Sequence, residues 1–460
     1  LKKIFLMIYI RYLLLLLASF LFTTCNKNDS DYTPPEATWP IWIFSHWIWE
    51  GEGTTASAKQ LADDYLAHDI PVGAIVIDSP WETGYNSLEW DESRYPDAQG
   101  MIDYFHSKDI RCLLWITSAI NLDSPEMYDY YKDNNYLMKE SADGEAAVFE
   151  WWKGEGSLVD FWNPEALTFW KSGMDRLLDM GIDGWKTDGT DYFSIFTPYS
   201  PGKGKNMTRE EYSAAYYRLF YDYTREKLGN DRTIMSRPVD NYGFNFLNGD
   251  IVAFAPTDIP AASWVGDQDA SFTGMVAALN NMYYSSQLGY LFCGSDIGGY
   301  RTDDNFPVEG RSKELFIRWA QLGAFCPLME NGGGGEHRPW MFDEQTTDIY
   351  RNLVITHNKM AAYLNQTARY YFDVKKSLMQ FQRKSDYSYL LGPDIFVTPI
   401  RRSGSDPLYI KFPEGNDTWL YLYDPSKEYS GGVSVTLDFS IEEYPVFVKK
   451  GSAIADSLLM

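Results

Sequence analysis

The feature that most restricts what this 460-residue chain can fold into is a recurring switch between two hydrophobic periods, sustained from Trp39 to about residue 370. Short apolar runs such as Val72–Ile77 and Arg111–Ile116 read as buried strands, being too short for helices and lacking a polar face. Between such runs, apolar residues recur every three or four positions, as Leu167, Trp170, Met174, Leu177 and Leu178 do within Pro164–Met180. That spacing lines one face of a helix. Helices are expected likewise at Ser57–Ala67, Gly100–Lys108, Phe272–Leu288, Lys313–Leu322 and Asp348–Tyr363. Thr208-Arg-Glu-Glu211 reads as a capping box opening a helix that ends at Gly229. Further strands are expected at Trp39–Phe44, Thr233–Ser236, Ile251–Ala255 and Leu291–Cys293. Alternation on this scale calls for a parallel sheet covered by helices. Its count and length favour an α/β chain built as a (β/α)₈ TIM barrel over an open sheet.

The texture changes on both sides of residues 39–370. Residues 371–460 carry short strand-like runs separated by Gly and Pro turns, among them Tyr389–Gly392, Ile395–Pro399, Leu408–Phe412, Trp419–Tyr423, Val433–Leu437 and Pro445–Val448. These predict a small all-β sandwich domain. At the other end, Lys2 and Lys3 precede a leucine-rich stretch to Phe22 and then Cys25, which reads as a bacterial lipoprotein-like signal over 1–25. Residues 26–38 read as a tether. The expectation is export across the inner membrane, to the periplasm or the cell surface, with membrane contact only through a lipid anchor at Cys25.

Net charge narrows the partners. A value of −24 argues against nucleic acid and anionic membrane surfaces and for a neutral or cationic small ligand. Cys112, Cys293 and Cys326 each lie in or beside an apolar run, so buried thiols are expected rather than a disulfide framework. None of the five histidines is paired at ligand spacing, and no Gly-rich dinucleotide turn follows the first strand, so no metal or cofactor is expected.

The chemistry concentrates at strand ends. In Gly181-Ile-Asp-Gly-Trp-Lys-Thr-Asp-Gly-Thr-Asp-Tyr192, Lys186 and Asp188 share one side of a period-2 pattern at the close of a buried strand. Such a pair is either a structural ion pair or a functional site, with the lysine favouring the ionised carboxylate. Catalytic residues of a barrel gather at the C-terminal strand ends. Taken in order, those ends offer Asp78, Trp115, Lys186, Asp188, Arg237, Trp264, Asp267, Asp296 and His337. Carboxylates and a guanidinium can hydrogen-bond sugar hydroxyls while tryptophan stacks the ring, and the aromatic share of 17% suits such ligands. Paired carboxylates suggest glycoside hydrolysis: one ionised acid attacks or stabilises the anomeric carbon, and one protonated acid serves the leaving group. Asp267 sits in an apolar setting that favours protonation, with Asp269 as the competing acid. Core packing remains the alternative for Trp115 and Trp264.

The ordered set of segments resembles glycoside hydrolase family 31, the α-glucosidase/α-xylosidase family. Trp-Lys186-Thr-Asp188 resembles its nucleophile strand and Trp264-Val-Gly-Asp267 its acid/base motif. Glu89–Asp97, Leu158–Ala166, Ser295–Gly299, Arg318–Phe325 and Leu391–Asp394 follow in the family's order. The resemblance implies a retaining α-glycosidase acting on a glycoside or oligosaccharide, with Asp188 as nucleophile and Asp267 as acid/base. Asp78, Trp115, Lys186, Arg237, Trp264 and Asp296 would line the sugar subsite. There are departures. The chain reads as lacking the family's usual N-terminal β-sandwich and distal C-terminal domain. Where the family has an arginine and a histidine after Phe-x-Pro, the sequence is Met329-Glu-Asn-Gly-Gly-Gly-Gly-Glu-His-Arg-Pro-Trp340. Glu330 would stand at the arginine's place and His337 would replace the histidine. That change leaves open an α-galactosidase or α-N-acetylgalactosaminidase on the same barrel. A carbohydrate-binding lipoprotein without activity is the alternative from another class, against which the presence of both Asp188 and Asp267 argues.

Overall fold

A computed structural model of the chain describes residues 38–51, 53–189, 197–241, 252–302, 311–404 and 406–459. The expected leader with Cys25, and the tether up to residue 37, lie outside these residues. The strand–helix alternation resolves into eight parallel strands. They are β1 (His46–Glu50), β2 (Ala74–Ile77), β3 (Arg111–Ile116), β4 (Gly184–Thr187), β5 (Met235–Ser236), β6 (Ala262–Val265), β7 (Phe292–Ser295) and β8 (Met329–Asn331). Each pairs in register with its sequence neighbour from β1 to β7, and β8 pairs with β1. The ring closes between β7 and β8, where Ile297 N donates to Glu330 O at 3.3 Å and Leu328 N to Cys293 O at 3.4 Å. The barrel expected from the pattern is the fold observed.

Helices α1 (Thr55–Ala67), α2 (Ala98–His106), α3 (Pro164–Asp179), α4 (Arg209–Leu228), α5 (Phe272–Leu288), α6 (Lys313–Ala324) and α7 (Glu344–Asp373) surround the ring. Local chemistry fixes their ends. Asn163 caps α3 through bonds to the amides of Glu165 and Ala166, with Pro164 at the first helical position. The α4 capping box of Thr208 and Glu211 forms as expected, and Gly229 ends the helix at φ +89. Between β3 and β4 the chain detours through a three-stranded antiparallel sheet of Ala119–Asn121, Val148–Trp151 and Gly154–Leu158.

At the base of β4, Asp183 is fully buried and receives His106 Nε2 at 2.8 Å, Arg111 Nη1 at 2.9 Å and the amide of Cys112 at 3.0 Å. It ties α2, β3 and β4 together at the end of the barrel where the strands begin. Cys112, Cys293 and Cys326 are free and buried.

Two expected strands are corrected. Trp39–Phe44 is not a strand: Pro40 lacks an amide to pair, and its carbonyl instead accepts Ile43 N at 3.2 Å, opening a 3₁₀ turn over Ile41–Phe44. The run is apolar because Trp39 and Phe44 each pack a ring 5.3 Å from that of Phe292, the first residue of β7. The first barrel strand is the following His46–Glu50. Ile251–Ala255 supplies only Val252–Ala253, which pairs antiparallel with Val239–Asp240 beside the barrel rather than within it.

After α7 comes an all-β domain. Its main sheet has six strands, in spatial order β9 (Met379–Phe381), β10 (Tyr389–Leu391), β11 (Ile395–Val397), β16 (Val446–Lys449), β13 (Thr418–Tyr421) and β14 (Asp424–Ser430). A separate pair joins β12 (Leu408–Lys411) to β15 (Ser434–Leu437). The hydrophobic pattern gave no sign of β14, whose residues are mostly exposed and polar at the sheet edge.

Candidate active site

Strands β1 to β6 send side chains to one rim, and the loop after β7 adds Tyr300 and Arg301. A cavity of about 510 Å³ opens there, lined by Trp49, Asp78, Trp115, Lys186, Asp188, Arg237, Trp264, Asp267 and Tyr300 among others. The rim is the C-terminal one because Asp78, Asp188, Arg237, Asp267 and Asp296 each follow the last residues of β2, β4, β5, β6 and β7.

Arg237 is the centre of the arrangement and is 1% exposed. Its Nε donates to Asp188 Oδ1 at 2.6 Å, and its Nη2 reaches both oxygens of Asp267 at 3.2 Å. Nη1 points the other way, to Asp240 Oδ2 at 2.6 Å. Asp188 also accepts the amide of Gly189 at 2.8 Å and Trp115 Nε1 at 3.2 Å, so three donors converge on its two oxygens.

Lys186 does share the Asp188 side of β4, but it is not the partner of Asp188. Its Nζ donates to Asp78 Oδ2 at 2.6 Å and lies over the rings of Trp49 at 4.1 Å and Trp264 at 4.9 Å. The cation bonded to Asp188 is Arg237, carried in on the next strand. Burial pulls the Lys186 ammonium down, but Asp78, Asp296 and Glu330 outweigh it and hold the group charged well into the alkaline range.

Asp267 is brought into the cavity by a strained turn. Its φ is +65, a left-handed conformation that Asp tolerates better than most residues. Gly266 just before it is required: a Cβ there would lie 2.3 Å from Trp264 Nε1 and 3.0 Å from Asp296 Oδ2. Asp267 N donates to Asp296 Oδ2 at 3.0 Å. Burial pushes the Asp267 carboxyl up; Arg237 pulls it back, Asp188 adds repulsion, and the net shift is upward. Asp269, the competing acid, pairs instead with Arg301 Nε at 2.8 Å and does not line the cavity.

Beneath the cavity floor, Asp296 and Glu330 are almost wholly enclosed on adjoining backbone, and the charge of Asp296 disfavours ionisation of Glu330. Burial pushes Asp296 up to about 6, with Lys186 opposing, and drives Glu330 well above the usual carboxylate range. Glu330 Oε2 accepts Trp49 Nε1 at 3.0 Å. Neither acid lines the cavity.

His337 is also not among the lining residues. Its Nδ1 faces Gly335 O at 3.3 Å, and burial beside Arg311 pulls the imidazole down to about 4. What lies at the wall instead is Trp49. A Cβ on Gly332 would fall 2.2 Å from three atoms of the Trp49 indole, so the bare glycine leaves room for that ring. Trp49 stacks on Tyr300 with centroids 5.8 Å apart and planes 20° apart. Sequence reasoning missed Trp49, Tyr300 and Asp240. Locating β1 correctly at His46–Glu50 would have placed Trp49 at a strand end; nothing local marks Tyr300 or Asp240.

Comparisons with known proteins bear on the fold and the family. The model described as "Glycosyl hydrolases family 31 TIM-barrel domain" matches residues 36–367, and "Glycosyl hydrolase family 31 C-terminal domain" matches 364–454. An α-xylosidase of Emericella nidulans is 24% identical over 448 residues, covering 93% of this chain and 54% of the relative. An alpha-glucosidase 2 of Bacillus thermoamyloliquefaciens is 24% identical over 417 residues, covering 87% and 51%. The chain thus spans about half the length of the curated relatives it matches. Among solved structures, a GH31 dextranase of Flavobacterium johnsoniae complexed with glucose superposes with TM-score 0.75 at 20% identity, over 90% of this chain and 52% of that one. At that identity the likeness speaks for the fold.

Proposed function

The chain belongs to glycosyl hydrolase family 31, and from that premise we propose that it is a retaining exo-α-glycosidase hydrolysing terminal α-glucosides or α-xylosides by double displacement. The observation that carries this is the single guanidinium of Arg237 holding Asp188 through Nε and Asp267 through Nη2. These two nitrogens form one edge of the guanidinium fork, so the two carboxyls stand close together. Closely set carboxyls suit direct attack, whereas inverting enzymes hold them further apart to seat a water.

In the proposed first step an Asp188 oxygen bonds the anomeric carbon while the bond to the leaving oxygen breaks and Asp267 gives that oxygen its proton. In the second step Asp267 takes a proton from water, whose oxygen displaces Asp188. The upward shift of Asp267 favours the protonated form that the first step needs. Esterification of Asp188 then removes one source of that shift while Arg237 remains, which makes Asp267 a better acid-to-base switch for the second step. Asp78 and Lys186, bonded to each other at the floor, are positioned to bind sugar hydroxyls, and Trp115 and Trp264 flank them.

The names of the α-xylosidase and α-glucosidase relatives support xylo- and gluco-configured substrates. A second reading, an α-galactosidase or α-N-acetylgalactosaminidase, draws on the indole of Trp49 filling the space over Gly332, because an aromatic wall there changes which outer substituents find a partner. Export and lipidation at Cys25 are part of the same proposal, and loss of fatty-acid labelling in Cys25→Ser tests them. The test of function is a panel of aryl α-glycosides (gluco, xylo, galacto and N-acetylgalactosamino), with the first-formed anomer followed by proton NMR. Hydrolysis of the gluco or xylo member with an α product is expected. No turnover by folded protein would point to a binding role, and a β product would end the double-displacement mechanism.

A further inference from the structure

Asp240 is fully buried and does not line the cavity, yet among the described residues it accepts four hydrogen bonds. Its Oδ2 takes Arg237 Nη1 at 2.6 Å and the amide of Gly266 at 2.9 Å. Its Oδ1 takes Asn281 Nδ2 at 2.8 Å, from α5, and the amide of Asn241 at 2.7 Å. One carboxylate therefore grips both the guanidinium that bridges the two cavity acids and the residue immediately before Asp267.

The three carboxylates on Arg237 are not held equally. Asp188 and Asp240 bond it at 2.6 Å, whereas Asp267 is met only at 3.2 Å through both oxygens. A guanidinium drawn fully onto Asp267 would form a tight bidentate pair and keep that acid ionised, which is the wrong state for a proton donor. With Nε and Nη1 committed elsewhere, Arg237 is held back from Asp267. Its position is fixed from the far side by Asn281 and Asn241. Among the described residues, the charged groups facing Asp240 are Arg237, from the end of β5, and Asp267, from the loop after β6. Burial pushes the Asp240 carboxyl up to about 6, with Arg237 and the Gly266 amide opposing and the charge of Asp267 adding repulsion.

We propose that Asp240 is a positioning residue for the acid/base step: it restrains Arg237 and anchors Gly266 so that Asp267 remains a proton donor. The inference rests on the roles of Asp188 and Asp267 given above.

The test is Asp240→Asn, which removes the charge with little change of shape, alongside Asp240→Ser, which leaves space for water, and Asp240→Glu, which restores the charge. The direct readout is the titration of Asp267 by carboxyl carbon NMR on aspartate-labelled full-length protein, assigned by its loss in Asp267→Asn. In Asp240→Asn and Asp240→Ser the Asp267 midpoint is expected to fall by about one pH unit, and Asp240→Glu to recover part of it. The basic limb of kcat/KM should move acidward with it. Activity on a poor leaving group such as an alkyl α-glycoside should fall about tenfold, and on an α-glycosyl fluoride less than about threefold. A fixed Asp267 midpoint, with equal losses on both substrates, would overturn the proposal and leave Asp240 a packing residue. The titration does not depend on turnover. A wild-type protein that hydrolyses nothing would therefore sink the proposed function while the Asp267 midpoint still decides this point.

Discussion

Substituting Gly332 by alanine tests whether the Trp49 wall is rigid. The backbone there is outside the left-handed region, so the effect is steric alone. The new methyl would lie 2.2 Å from three indole atoms, where ordinary carbon contacts are about 3.5–4.0 Å. An overlap of over an ångström cannot be absorbed by small adjustments, so the indole has to swing away. Doing so forfeits the 3.0 Å bond from Trp49 Nε1 to buried Glu330, worth about 1–3 kcal/mol. It also weakens the contact with Lys186 Nζ, 4.1 Å above the ring, worth about 2 kcal/mol where water is excluded. Because the two losses overlap, a total of about 3 kcal/mol is expected. In a Trp49→Ala background the methyl enters vacated space and should cost less than about 1 kcal/mol, giving a coupling of about 2 kcal/mol. Urea unfolding of the four proteins measures it. A displaced ring also intrudes on the cavity, so KM should rise more than kcat falls in Gly332→Ala. A neutral Gly332→Ala, or strictly additive effects of the two substitutions, would refute the account of the wall.

Asp188→Ala is expected to abolish turnover of an aryl α-glycoside, while Asp267→Ala should spare activated leaving groups more than poor ones; a steady-state comparison with equal losses would undo the acid/base assignment. Because the Asp267 carboxyl is shifted up, the basic limb of wild-type kcat/KM should lie above the ordinary range for an exposed aspartate, which a pH profile reads directly. Asp183 makes a prediction of opposite sign at the far end of β4. Burial pushes this carboxyl up, but bonds from His106 and the Cys112 amide and the charge of Arg232 outweigh it and hold its folded pKa below the ordinary 3.8. Its contribution to stability is thus fully present above that value and is lost as pH falls through the lower, folded one. Asp183→Asn should cost about 1–3 kcal/mol at neutral pH, by leaving the buried Cys112 amide and the partly exposed His106 and Arg111 without their anion. The gap from wild type should begin to close below the ordinary value, and a gap that does not vary with pH would contradict the ion-pair account.

The barrel was legible because its signal is local. A buried parallel strand has to be apolar and short, a covering helix has to be apolar on one face, and the chain repeats both in order. Arg111–Ile116 and Phe272–Leu288 form the elements that pattern predicts, with the same bounds. Trp39–Phe44 misled because burial without a ladder partner looks the same in sequence as a strand. β14 escaped because an exposed edge strand has no apolar face to display.

The site divides along the same line. That Asp78, Lys186, Asp188, Arg237, Asp267 and Asp296 reach one rim follows from strand ends in a closed parallel ring, so it could be read once the ring was inferred. Who bonds whom could not. Lys186 lies two residues from Asp188 yet pairs with Asp78, which arrives from β2, while Asp188 is held by Arg237 from β5. Trp49 comes to the wall from β1 because Gly332 beyond β8 leaves it room, and Asp240 bonds the guanidinium of Arg237, three residues before it, with no visible motif to mark the pair. Pattern along one chain records which residues are buried and in what rhythm, since those depend on each segment's own face. Hydrogen-bond partners and close approaches depend on the distances between segments, and only the closed barrel sets those.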